Sequence, residues 1–271
     1  MSDANVVINR VARPANEDWV LENKHLRVTL RADTLTFTVH DLATGEVWGS
    51  DPWESSAGRI HLRSKHNDTL TVNLSRAAEK RIEPVDDANK SKGLRISLAK
   101  FQSRLGPVRK DRGVEDHLSL ELELWLTDDR PELTCRVAKL GNTSLYWTVE
   151  TIEWPLRVFP VCTVDDDGYI AFPAEQGFIV PSRFDKVGYF RYLNWVWERI
   201  AGHALVLDNP SMPWFGAKKG DSSFICIVDT YNDAAYGIIA NDVRSPEMPP
   251  APPSAIPTAS TALFAPRISA V

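Results

Sequence analysis

Glu175 and Asp185 are the carboxylates best placed to do chemistry. Glu175 lies in "FPAEQGFIVPSRFD", among Pro173, Gly177 and Pro181 and between apolar runs, and Arg183 and Asp185 follow in the same segment. Loops on a rigid scaffold commonly carry function. Two carboxyl groups facing each other across a sugar can hydrolyse a glycosidic bond, at about 5–5.5 Å for retention and about 6.5–9.5 Å for inversion. Tyr189, Tyr192, Trp195 and Trp197 come directly after, and aromatic planes suit the C–H faces of sugars. For each of these residues alone, a solvent-facing turn is the competing reading. Glu150 and Glu153 in "VETIEW" are also close, but their odd spacing is expected to put them on opposite faces of a strand.

A second candidate is "MPWFG", where Trp214 and Phe215 stand between Pro213 and Gly216. The flanking residues imply a fixed, tight backbone. That suits a sugar-stacking platform or a plug at the end of a sandwich. With Arg183, Tyr189 and Trp197, these two make the expected substrate-binding set. No metal or cofactor is expected. The six histidines are scattered, and Cys135, Cys162 and Cys226 form no zinc spacing and read as buried thiols. Asp165, Asp166 and Asp167 precede Gly168, but the spacing is not that of a calcium loop. The glycine patterns of nucleotide sites and the zinc-protease and esterase motifs are absent.

These residues need a scaffold, and the dominant period of the chain is two. Leu26, Val28 and Leu30 alternate with Arg27, Thr29 and Arg31, and Leu35, Phe37 and Val39 alternate with threonines. "HLSLELELWL" puts five leucines on one face with Glu121 and Glu123 opposite. These are half-buried antiparallel strands. Turns are expected around Thr44-Gly45, in "TDDRPEL" and at "GNTS", and "RYLNWVWERI" is the best candidate helix, with a strand as the equal alternative for its aromatics. The fold predicted is all-β, a large antiparallel sandwich over 1–244, larger than one immunoglobulin-like unit. From Ser245 onward the chain changes character. Prolines at 246, 249, 250, 252, 253, 257 and 266 read as a proline-rich tail or linker over 245–271.

Composition bounds the rest. The 31 basic and 36 acidic residues give a net charge of -5, which argues against nucleic acid as partner. No apolar run is long enough to span a membrane, and "MSDANVVINR" lacks the pattern of a secretory signal. A soluble, cytoplasmic protein is expected. Nine tryptophans is a high count, which fits either carbohydrate binding or an aromatic-rich core.

Three stretches carry a resemblance. "WVLENKHLRVTLRADTLTFTVHDLATGEVWGSDP", "FPAEQGFIVPS" and "MPWFGAKKGDSSFICIVDTYNDAAYGI" resemble segments of the N-terminal region of certain multidomain glycoside hydrolases. That region is a β-supersandwich similar to the galactose-mutarotase fold, and the likeness runs over roughly residues 18 to 240. In such enzymes a (β/α)₈ barrel follows and usually carries the catalytic carboxylates. No βα alternation is present here to build one. The resemblance therefore implies a saccharide ligand and, if the chain is active, hydrolysis of O-glycosyl bonds. The alternative is a non-catalytic accessory or truncated domain, whose Trp214–Phe215 edge is covered by a missing barrel or by a second copy in a homodimer.

Overall fold

The computed structural model describes residues 6–12, 17–50, 56–87, 91–102, 113–155, 168–173, 178–181, 200–201, 204–207, 214–229, 234–240 and 259–266. The chain forms two compact units divided between Leu156 and Arg157. Among the described residues there is no α-helix, and every strand pairing is antiparallel. The fold is the all-β antiparallel sandwich that the alternation predicts. The candidate helix at 191–200 lies, but for Ile200, outside the described residues.

The first unit opens with a five-stranded meander. Its strands are β1 (Val7–Ala12), β2 (Glu17–Glu22), β3 (Leu26–Arg31), β4 (Phe37–Asp41) and β5 (Val47–Gly49), paired in chain order. The predicted turn between β4 and β5 is present. Gly45 takes φ 79°, its N–H bonds the Asp41 carbonyl, and the Asp41 carboxylate accepts the Ala43 N–H. Next come β6 (Arg59–Ser64), β7 (Thr69–Asn73), a 3-10 turn at Leu74–Arg76, β8 (Ala77–Asp87), β9 (Ser91–Phe101), β10 (Leu118–Thr127), β11 (Leu133–Asn142) and β12 (Trp147–Glu153). They make a four-stranded sheet β11-β10-β9-β8 and a three-stranded sheet β12-β6-β7.

The core of this unit comes from the predicted apolar faces. Leu21, Val28, Leu30 and Phe37 of the meander, Leu94, Ile96 and Leu98 of β9, and all five leucines of β10 are buried. Burying each such side chain contributes about 1.5–3 kcal/mol. Asn23 joins two hairpins. Its Nδ2 donates to the carbonyls of Thr127 and Arg130 at 2.6 and 2.9 Å, while its Oδ1 accepts the N–H groups of His25 and Leu26. This buried amide is thereby satisfied on both sides.

One predicted turn moves. Gly141 belongs to β11, opposite Ser119, and the turn begins at Thr143. A Cβ at Gly141 would fall 2.4 Å from Ser119 Oγ. The glycine marks a close approach within the sheet, not a turn.

The second unit contains β13 (Tyr169–Phe172), β14 (Phe178–Pro181), β15 (Ile200–Ala201), β16 (Ala204–Leu207), β17 (Trp214–Lys219), β18 (Ser222–Ile227), β19 (Ala234–Ala240) and β20 (Ala259–Pro266). Two four-stranded sheets result, β14-β13-β17-β18 and β15-β16-β19-β20. β20 lies within the proline-rich stretch and pairs with β19.

Candidate functional site

β17 is an inner strand, and its alternation sends Trp214 and Phe215 to opposite faces. Phe215 is 3% exposed and packs edge-on against Phe224, with ring centroids 6.1 Å apart. It backs the sheet, with buried Ala217 on the same side. Trp214 is half-buried on the other face. Its neighbours there follow from the register. Ile227 pairs with Trp214, Ile225 pairs with Gly216, and Gly216 leads through Ala171 to Ile179. Ile225, Ile227 and Ile179 are 69%, 68% and 59% exposed, so this face is apolar and open. Gly216 keeps it flat, because a Cβ there would come within 3.1 Å of the Phe224 carbonyl and 3.9 Å of the Trp214 ring. On the core side, burial and then the Asp229 charge push the Cys226 thiol up to about 12.

Of the substrate-binding set, Trp214 and Phe215 are described. Arg183, Tyr189 and Trp197, the carboxylates Glu175 and Asp185, and the Asp165–Asp167 cluster lie outside the described residues. Among the described residues, no group of three or more His, Cys, Asp or Glu side chains could hold a metal ion. No helix of the described residues is long and apolar enough to cross a membrane.

A second constellation lies on the polar face of the sheet β12-β6-β7, and it corrects the reading of Glu150 and Glu153. The register slips between Val149 and Thr151, so that Glu150 and Thr151 together oppose His61. This bulge undoes the odd spacing. Glu150 bonds Arg63, while Glu153 reaches Arg59 at 3.8 Å and His61 at 3.2 Å. Arg59, His61 and Arg63 alternate along β6 and share one face, so both glutamates share it too. His61 sits between Glu153, near its Nε2, and Thr71 Oγ1, 3.0 Å from Nδ1. The Thr71 hydroxyl bonds the imidazole at Nδ1, while the Glu153 carboxylate lies near Nε2 without a hydrogen bond to it. The sequence leaves His61 as one of six scattered histidines. The alternation of "RIHLRS" was the available signal that it lies on a strand.

No protein-family model matches the chain, and no curated protein matches it. Among solved structures, the chain is similar to the α-N-acetylgalactosaminidase NagBb from Bifidobacterium bifidum, in complex with Gal-NHAc-DNJ. The match has a TM-score of 0.61 and 15% sequence identity, and it covers 90% of this chain but 32% of that one. At this identity the likeness is one of fold. The chain is an all-β sandwich whose fold recurs within about a third of a bacterial glycosidase.

Proposed function

We infer that this chain is a carbohydrate-active β-sandwich of the glycoside-hydrolase kind, and that it binds saccharide on the outer face of the second unit with Trp214 as the stacking residue. The observation that carries this reading is the fold shared with a glycosidase over 90% of the chain. The half-buried Trp214, level with a glycine on an open sheet face, supplies the plane a sugar ring needs. Hydrolysis of O-glycosyl bonds would fall to Glu175 and Asp185, with Arg183, Tyr189 and Trp197 binding the substrate. Turnover of an aryl-glycoside panel by the chain and by Glu175→Gln tests this part. Activity that survives the substitution unchanged removes Glu175.

One observation favours a second reading. Three exposed isoleucines around Trp214 suit a protein surface better than a sugar, because an apolar patch of this kind gains from being covered. On that reading the chain is an accessory domain, and the face docks a neighbouring domain or a second copy of the chain. Sedimentation separates the two. A monomer whose tryptophan fluorescence is quenched by saccharide supports the first. A dimer broken by Ile225→Lys supports the second.

A further inference from the structure

The outward face of the sheet β11-β10-β9-β8 holds a charged site in which Glu123 has 1% of its side chain exposed. The position is on the polar side of β10, where the alternation predicts a solvated carboxylate. Its register partners close over it instead. Arg95 on β9 donates to Oε1 from Nε at 3.0 Å and Nη2 at 2.8 Å. Arg136 on β11 donates to Oε2 from Nε at 3.1 Å and also from Nη2. Trp125 adds its indole N–H to Oε2 at 2.9 Å. The two arginines stay 39% and 60% exposed. The carboxylate is therefore roofed by cations that still face solvent.

Trp125 is held as firmly. Its register partner on β9 is Gly93, where a Cβ would lie 2.8 Å from ring atom Cδ2 and 2.9 Å from Cε3. The indole rests on bare backbone, and any larger residue would lift it. A ring tied by its N–H and backed by glycine is a preorganised plane, which lowers the entropy cost of binding. Beyond Glu123, the next two rows of the same face include Ser97, Ala99 and Ser119. With Glu79, Arg81 and Glu121 they line an open depression. From Trp125 to Ser119 the strand runs about 20 Å, the reach of an oligosaccharide.

Charge narrows the ligand. Glu83 is paired with Arg81 at 2.8 Å, and Glu121 faces Lys139 at 4.0 Å. Glu83 is also the register partner of Arg95, so the guanidinium left most open beside the indole is that of Arg136, 60% exposed. Each guanidinium has five N–H donors and spends two on Glu123. Its planar fork matches a carboxylate.

We propose that this face binds an acidic oligosaccharide, with one sugar ring stacked on Trp125 and a uronic-type carboxylate taken by Arg136 and Arg95. The proposal rests on the carbohydrate reading of the chain but uses residues of the first unit, independent of Trp214. The test titrates the whole chain with an oligogalacturonide and with a neutral galacto-oligosaccharide of equal length. Wild type, Trp125→Ala, Arg136→Gln and Trp214→Ala are compared, with thermal melts confirming that each is folded. Arg136 is mostly exposed, so its variant keeps the test valid if Trp125→Ala does not fold. Oligogalacturonide binding is expected to weaken at least tenfold in Trp125→Ala and in Arg136→Gln, to weaken with added salt, and to persist in Trp214→Ala. Unchanged oligogalacturonide binding in Arg136→Gln overturns the proposal. So does binding of the neutral saccharide alone, which would leave the broader carbohydrate reading standing. If wild type binds neither, this proposal falls, and the broader reading is decided separately by the Trp214 titration with neutral saccharides.

Discussion

Glu123 shows what a single residue can hide. The sequence places it on the polar side of β10 correctly, but nothing local marks it as buried, because its three partners come from Trp125 and from two other strands. Burial pushes its carboxyl up, and the Trp125, Arg95 and Arg136 donors more than offset this, so it is held below its usual value. A carboxyl lowered in the folded state contributes stability above the unfolded-state pKa, and that contribution is lost as pH falls through the folded-state value. Glu123→Gln is therefore expected to cost about 1–3 kcal/mol at neutral pH, with the difference from wild type closing in acid. Urea melts of both proteins from pH 7 down to pH 3 check this. A penalty that stays constant with pH would show that charge is not what Glu123 supplies. Cys226 gives a second test at this scale. Its thiol, pushed to about 12 by burial and Asp229, holds little thiolate at pH 8. Alkylation is expected to be slow in the folded protein and fast once it is denatured. Equal rates would contradict the burial.

At the scale of elements, period-two alternation and turn residues located the strands well. The hairpin at Gly45 and the break in "TDDRPEL" stand where expected. The misses share one cause, which is that pairing between strands is invisible in one strand's sequence. Gly141 resembles a turn residue until Ser119 is seen opposite it. By spacing alone Glu150 and Glu153 face apart, and the bulge brings them to one face. The bulge leads to a prediction about register. Deleting Glu150 leaves Val149 opposite Leu62 and Thr151 opposite His61 in a regular ladder, so it should cost no more than about 1 kcal/mol. Deleting Thr148 would turn Trp147, now 4% exposed, to the polar face, and should cost several times more, on the scale of losing a buried aromatic at about 3–5 kcal/mol. Thermal melts of the two deletions rank them, and the reverse order would refute the bulge.

For the whole molecule, the fold class was legible and the site only in part. Alternation over most of the chain, with no long amphipathic run, leaves an antiparallel sandwich as the way to bury so many one-sided strands. The division between Leu156 and Arg157 was not legible, since strands continue on both sides of it without a change in composition. Trp214 was legible as a fixed aromatic because proline and glycine bracket it. Its isoleucine surroundings were not, because they come from β14 and β18. The central claim is that this sandwich binds saccharide through Trp214. The most direct measurement is titration of tryptophan fluorescence with neutral saccharides, N-acetylgalactosamine included, in wild type and Trp214→Ala. Saturable quenching is expected in wild type, weakened at least tenfold in Trp214→Ala. Saturable quenching that is unchanged in Trp214→Ala, or no quenching by any saccharide, would contradict the claim.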